Sequence, residues 1–155
     1  MKRNIDILFL IEHVDRELQS VSFIASQLKK KYDFSYNIFS IYFHLHKILI
    51  IKPKLIVIPY AISDKIWPLN FLKKFTKHGT VFLSFNWEQY LSSANLKFKK
   101  PNGIFVTKFL NHLVWHDAYE LFLQDNHIKN KNIFRVQNPA LYLLQKMIML
   151  IFLIN

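Results

Sequence analysis

Cysteine is absent from this 155-residue chain, so disulfides and thiolate metal sites are excluded, and a reducing compartment suits the composition. Glycine is almost absent: Gly79 and Gly103 are the only two. Two isolated glycines cannot build a Gly-rich phosphate loop of the dinucleotide or P-loop kind. Acidic residues are few, ten against 21 lysines and arginines, leaving a formal net charge of +11. Long apolar runs are missing as well. No stretch reaches the roughly 18 apolar residues of a spanning helix. The apolar run between Asp6 and Glu12, residues 7–11, is too short for a signal-peptide core, and a cytoplasmic location is expected. The histidines lack metal-ligand spacing: His44 and His46 would diverge on a helix, so no metal is expected. No cofactor is expected either.

Hydrophobic residues make up 52% and aromatic residues 16%, enough for a packed core and against disorder. The length suits one domain. Lysines gather at Lys29–Lys31, Lys73–Lys74, Lys97–Lys100 and Lys129–Lys131. A basic surface favours anionic partners: nucleic acid, acidic lipid headgroups or phosphorylated small molecules. Lysine-rich loops also serve simply to keep a surface wet.

Apolar periodicity switches repeatedly between the strand and helix patterns. Residues 5–11 form a continuous β-branched and aromatic run, expected as a buried parallel strand. Over residues 14–31, Val14, Leu18, Val21, Ile24, Ala25 and Leu28 fall on one helical stripe, closed by three lysines in the last turn. A second strand is expected over 35–43, then a short helix over 44–51 stopped by Pro53. A third strand covers 55–60, a helix 64–78 and a fourth strand 80–85. Residues 103–107 and 112–115 read as short strands or extended pieces. Residues 117–126 read as a helix with Asp117 as N-cap, and 132–136 as the last strand. The longest polar loop is 91–102. This alternation predicts an α/β fold, a Rossmann-like doubly wound, mostly parallel sheet.

Ligands of such sheets bind beyond the carboxyl ends of the strands. Three polar clusters fall there. Glu12-His13-Val14-Asp15-Arg16-Glu17 follows the first strand; its carboxylates suit either helix capping or binding. Arg16 opposes the helix dipole in a first turn and so asks for another reason. Asn86-Trp87-Glu88-Gln89-Tyr90 follows the fourth strand and combines a stacking platform, a carboxylate and an amide, as saccharide sites do. Glu88 is the candidate general base for a hydroxyl nucleophile. Glu12, His13, Arg16, Trp87, Gln89 and Tyr90 are candidate substrate-binding residues. The third cluster is Trp115-His116-Asp117: His116 is either a base or binding group oriented by Asp117, or a helix-entry residue.

Taken in order, Glu12-His13 with Arg16-Glu17-Leu18, Asn86-Trp87-Glu88-Gln89, Val114-Trp115 and the Ile133–Pro139 junction resemble the N-terminal half of bacterial surface-polysaccharide glycosyltransferases. That group is related to CDP-glycerol glycerophosphotransferases and capsule biosynthesis enzymes. The resemblance runs to about Pro139 and rests on the order and spacing of individually weak motifs. It implies one half of a GT-B fold, with residues 1–138 as a Rossmann-like acceptor-side domain. The partners it implies are a glycan or lipid-linked acceptor, a nucleotide-sugar donor held by a missing C-terminal domain, and an anionic inner-membrane face. The apolar segment 139–155 is then expected to be a truncated or degenerate start of a second domain, and the chain to be inactive alone. The sequence departs from the family pattern in two places. Trp87-Glu88-Gln89 stands where glycerophosphotransferase relatives carry a catalytic His, and Gln137 stands where Gly is expected before Asn138-Pro139. The alternative expectation is a basic α/β binding module for nucleic acid or anionic membranes; no recognition helix or ribonucleoprotein motif supports nucleic acid. A receiver-like signalling domain, with Asp64 after the third strand, fits less well because the cluster after strand one is mixed with cations.

Overall fold

The computed structural model describes residues 3–65, 67–75 and 79–137. The Asn138-Pro139 junction and the apolar tail 139–155 lie outside the described residues, as do residues 66 and 76–78 of the expected third helix.

Strand β1 (Arg3–Ile11) leads through helix α1 (Val14–Tyr32) to β2 (Tyr36–Ser40). A 3-10 turn (Leu45–Ile50) delivers the chain to β3 (Ile51–Ile58) on the other side of β1. Helix α2 (Leu69–Phe75), β4 (Val81–Ser84), and the short helices α3 (Leu96–Lys99) and α4 (Ile104–Lys108) follow. β5 (Asn111–Val114), α5 (Asp117–Asp125) and β6 (Ile133–Arg135) complete the described chain. The six strands form one sheet in the order β2-β1-β3-β4-β5-β6, every neighbouring pair parallel. This is an α/β, Rossmann-like doubly wound sheet. Its order reverses between β1 and β3, where such folds open a crevice for ligands.

Both faces of the sheet are covered, which is why the central strands are apolar throughout rather than alternating. Ile7, Phe9 and Ile11 of β1 pack with Val21 and Ala25 of α1. Leu8 and Leu10 face the opposite layer, with Ile48, Leu72, Val106 and Leu110. A third cluster, Val114, Tyr119, Leu123 and Ile128, seats α5 beside β5. Fully burying each such side chain contributes about 1.5–3 kcal/mol.

Helix α1 carries Asp15 and Glu17 in its first turn and Lys29–Lys31 in its last, complementing its dipole at both ends. It ends at Asp33, which takes a left-handed conformation and donates its N–H to the Lys29 carbonyl. The buried face is not quite the expected stripe. Val14 and Leu18 are exposed, and the inward positions of the first turns are Glu17, Ser20 and Val21. The helix enters with its first turn over the carboxyl end of the sheet, where a polar side chain is wanted.

Other expectations are corrected. Residues 104–108 form α4, not a strand, because Asp64 reaches across from the β3–α2 connection. Its Oδ2 accepts the Phe105 N–H at 3.1 Å, which caps the helix. The third strand begins at Ile51 rather than Leu55 and runs through Pro53, which pairs with Ile5. The second strand ends at Ser40, earlier than expected. Helix α2 starts only at Leu69, five residues later than expected.

Candidate functional site at the sheet's switch point

The loops leaving β1, β3 and β4 enclose a cleft of about 380 Å³ at the carboxyl end of the sheet. Glu12, His13, Arg16 and Glu17 come from the first loop and the start of α1. Tyr60, Ala61 and Ile62 follow β3, and Asn86, Trp87 and Glu88 follow β4. Phe98 and Lys99 of α3, with Asn95 and Tyr119, close the far wall. Three carboxylates and two permanent cations therefore share one small volume.

Each member of the first cluster has a distinct job. Glu17 is almost fully buried; its Oε2 accepts the Glu12 N–H at 2.8 Å and its Oε1 lies 3.5 Å from the Arg16 guanidinium. It thus ties the loop to the helix, as a buried carboxylate must be tied. Glu12 Oε1 accepts hydrogen bonds from the Tyr42 and Tyr60 hydroxyls, the latter at 3.3 Å. The Glu12 hydrogen bond holds the Tyr42 phenol above its ordinary value. Tyr60 is pushed up to about 12, chiefly by burial and then by the Glu12 charge. His13 Nε2 lies 3.8 Å from the other Glu12 oxygen and makes no side-chain cap to α1.

Arg16 reaches from the helix across the cleft, where its Nη1 donates to Glu88 Oε1 at 2.8 Å. This explains a cation at an electrostatically unfavourable helical position. Arg16 is half exposed and Glu88 more so, so their attraction is worth only about 0.2–1 kcal/mol. Lys99 Nζ donates to the backbone carbonyls of Glu88 and Tyr90, at 2.6 and 3.0 Å, and fastens α3 to the β4 loop.

Beneath the cleft lies a buried polar chain, of which only Asn86 stood out in the sequence. Asn86 takes a positive φ of 50°; its Oδ1 accepts from Ser84 Oγ at 2.8 Å and its Nδ2 donates to the Leu113 carbonyl at 3.2 Å. His112 sits beside it, fully enclosed, with Nε2 3.2 Å from the Val106 carbonyl. Burial pulls its imidazole down to about 4, against the raising effect of that carbonyl. It is therefore neutral, with Nε2 donating. Trp87 packs edge-on against Phe85, centroids 5.1 Å apart, and its Nε1–H is buried without an acceptor among the described residues. Such a donor typically carries a penalty of about 1–3 kcal/mol until something accepts from it.

The cleft brings together five of the eight sequence-predicted residues: Glu12, His13, Arg16, Trp87 and Glu88. The other three lie elsewhere. Gln89 is buried beside the cleft with its amide spent on backbone: Nε2 donates to the Leu113 carbonyl at 2.8 Å and Oε1 accepts the Trp115 N–H at 2.9 Å. Tyr90 is three-quarters exposed at the rim. His116 is the N-cap of α5; its Nδ1 accepts the Ala118 N–H at 3.2 Å. The expected capping role of Asp117 is thus corrected, and Asp117 instead pairs with Arg135. Tyr60, Phe98 and Lys99 line the cleft without having been predicted. Tyr60 was within reach of the rule that sites follow strand ends; Phe98 and Lys99 come from the polar loop, whose path no periodicity shows. Among the described residues no cluster of three or more His, Asp or Glu side chains is arranged to hold a metal ion. No helix among them is long and apolar enough to cross a membrane.

No protein-family model matches the chain, and neither a curated protein nor a solved structure matches it.

Proposed function

We propose that this chain is the acceptor-binding half of a glycosyltransferase for surface polysaccharide biosynthesis, with the switch-point cleft as its acceptor site. The observation that carries this reading is the pairing of a loosely held carboxylate, Glu88, with aromatic faces in a cleft of saccharide size. Trp87, Phe98 and Tyr60 offer flat apolar surfaces to sugar C–H groups, and Glu12, His13 and Glu88 offer polar atoms nearby. Breaking the exposed Arg16–Glu88 contact costs little, so Glu88 is free to accept a hydrogen bond from an acceptor hydroxyl and take its proton. General-base assistance of this kind contributes about 10²–10⁴ in rate. In this reading the nucleotide-sugar donor sits on a second domain, and Arg16 steadies Glu88.

The same reading assigns the cleft's mouth to an anionic membrane face. Tyr90, Leu96 and Phe98 are exposed there beside the exposed Lys97 and Lys100. A lipid-linked acceptor would reach the cleft along that rim. The competing reading, a basic module for nucleic acid, predicts a steep fall in polyanion affinity with salt.

Titration of the ¹⁵N-labelled chain with a panel of neutral mono- and oligosaccharides tests the proposal. The expected result is saturable shifts at the Trp87 indole and at residues 12–17 and 86–88. No shift there with any member, or shifts there only with oligonucleotides, would overturn it. In a fusion carrying a donor domain, Glu88→Gln is expected to lower kcat about 10²–10⁴-fold with KM little changed.

A further inference from the structure

The cleft is an acidic place on a basic protein. The chain carries a net charge of +11, yet Glu12, Glu17 and Glu88 outnumber Arg16 and Lys99 inside the cleft. More telling than the count is where the cations point. Arg16 lies between two carboxylates, Nη1 on Glu88 at 2.8 Å and Nη2 toward Glu17 at 3.5 Å. A guanidinium fork recognises a phosphate or carboxylate through two parallel N–H donors. Here both nitrogens nearest the cleft already face protein carboxylates. Lys99 is committed to two backbone carbonyls. His13, the remaining basic group, stands beside Glu12.

We infer that the cleft selects uncharged saccharides and rejects anionic ones, the Arg16–Glu88 pair acting as the gate. The inference rests on the saccharide reading above and specifies its substrate class. An anionic ligand meets carboxylate charge at Glu12 and Glu88 and must displace Glu88 or Glu17 to reach the Arg16 nitrogens that face them. A hydroxyl group meets the same carboxylates as acceptors, and a neutral sugar brings no negative charge against them. The tyrosines register the same field: burial and the Glu12 charge together push the Tyr60 phenol up to about 12.

Matched pairs of probes decide the matter: methyl glucoside against methyl glucuronide, and N-acetylglucosamine against its 6-phosphate. Affinities follow from NMR titration at pH 7.5 and low salt. The neutral member of each pair is expected to bind the wild-type chain at least about tenfold tighter, or about 1.4 kcal/mol. Added salt should shrink the ratio. Glu88→Gln removes one carboxylate and frees one arm of Arg16, so it should abolish or reverse the preference. Asp33→Asn, an equal charge change at the far end of α1, should leave the ratio unchanged. If anionic members bind the wild type as well as neutral ones do, the selectivity is overturned and the saccharide site stands. If the ratio ignores Glu88→Gln or follows Asp33→Asn, the gate is overturned. If no saccharide binds, both readings fall.

Discussion

Gly103 turns the chain at φ +99° immediately before α4, and a Cβ built there would lie 1.8 Å from Asp64 Oδ1. The carboxylate occupies the space a side chain would need because it caps α4 through the Phe105 N–H and pairs with Lys73 at 3.2 Å. Those two partners hold Asp64 below the usual carboxylate range although burial alone would raise it. Gly103→Ala must therefore strain the backbone and dislodge a cap, for a loss of roughly 2–4 kcal/mol. Gly79 has nearly the same φ, +95°, but open space around it, so Gly79→Ala is expected to lose only about 1–2 kcal/mol. Urea unfolding of both variants separates collision from backbone strain; equal losses would sink the steric account. His112 makes a second prediction at this scale. Its pKa falls from an ordinary 6.5 to about 4 in the folded chain, so the unfolded chain takes up the proton first. The stability this residue contributes is complete above pH 6.5 and declines as pH falls toward 4, by roughly 3 kcal/mol at most. Unfolding free energies at pH 7.5 and 4.5 should differ more for the wild type than for His112→Phe.

β4 and β5 share only two register pairs, Leu83 with Asn111 and Ser84 with His112. Beyond them, side chains continue the pairing: Gln89 bonds both the Leu113 carbonyl and the Trp115 N–H, and Asn86 adds a second donor to Leu113. Gln89→Leu leaves the Trp115 N–H without its acceptor, with an expected loss of about 2 kcal/mol. Amide exchange should accelerate at Trp115 more than at Leu8 in the middle of β1; uniform acceleration would show that the clip is not local. Elements of this kind mark the limit of what the sequence displays. The long apolar runs of β1 and β3 and the amphipathic α1 were legible because their periods are set by local geometry. The five residues of α4 were not, since a short apolar run suits strand or helix and its deciding cap, Asp64, lies 41 residues away. Gln89 looked like a binding residue for the same reason: it borders a strand end, and its partners lie 24 and 26 residues on. At His116 the ambiguity was local, because either His116 or Asp117 suits a cap; the structure has the histidine capping and the aspartate on Arg135. In the Glu12–Glu17 cluster, Glu17 fastens the loop to the helix while Glu12, His13 and Arg16 line the cleft.

Over the whole molecule, net charge was legible in the composition but its distribution was not. An acidic cleft opens beside a rim where Lys97 and Lys100 alternate with exposed Leu96 and Phe98, and Tyr90 stands three-quarters exposed alongside. Aromatic side chains of this kind settle at the headgroup level of a bilayer, while lysines are drawn by its surface potential, at about 1 kcal/mol each. In the proposed reading, the overall charge of +11 draws the protein toward an anionic membrane and the rim sets which way it faces. Binding to phosphatidylglycerol vesicles should therefore exceed binding to phosphatidylcholine vesicles and weaken with salt. Replacing Lys97 and Lys100 together by alanine should lower the partition coefficient about 30-fold, the equivalent of about 2 kcal/mol. Removing two lysines from the opposite end of the molecule, Lys52 and Lys129, changes net charge equally and should have a smaller effect. Tyr90→Ser should reduce binding to both vesicle types without altering the salt dependence, because it removes apolar contact and no charge. Vesicle sedimentation reads all three outcomes. If both double variants weaken binding equally, only the total charge matters; the rim then has no orienting role, and membrane delivery of the acceptor to this cleft falls with it.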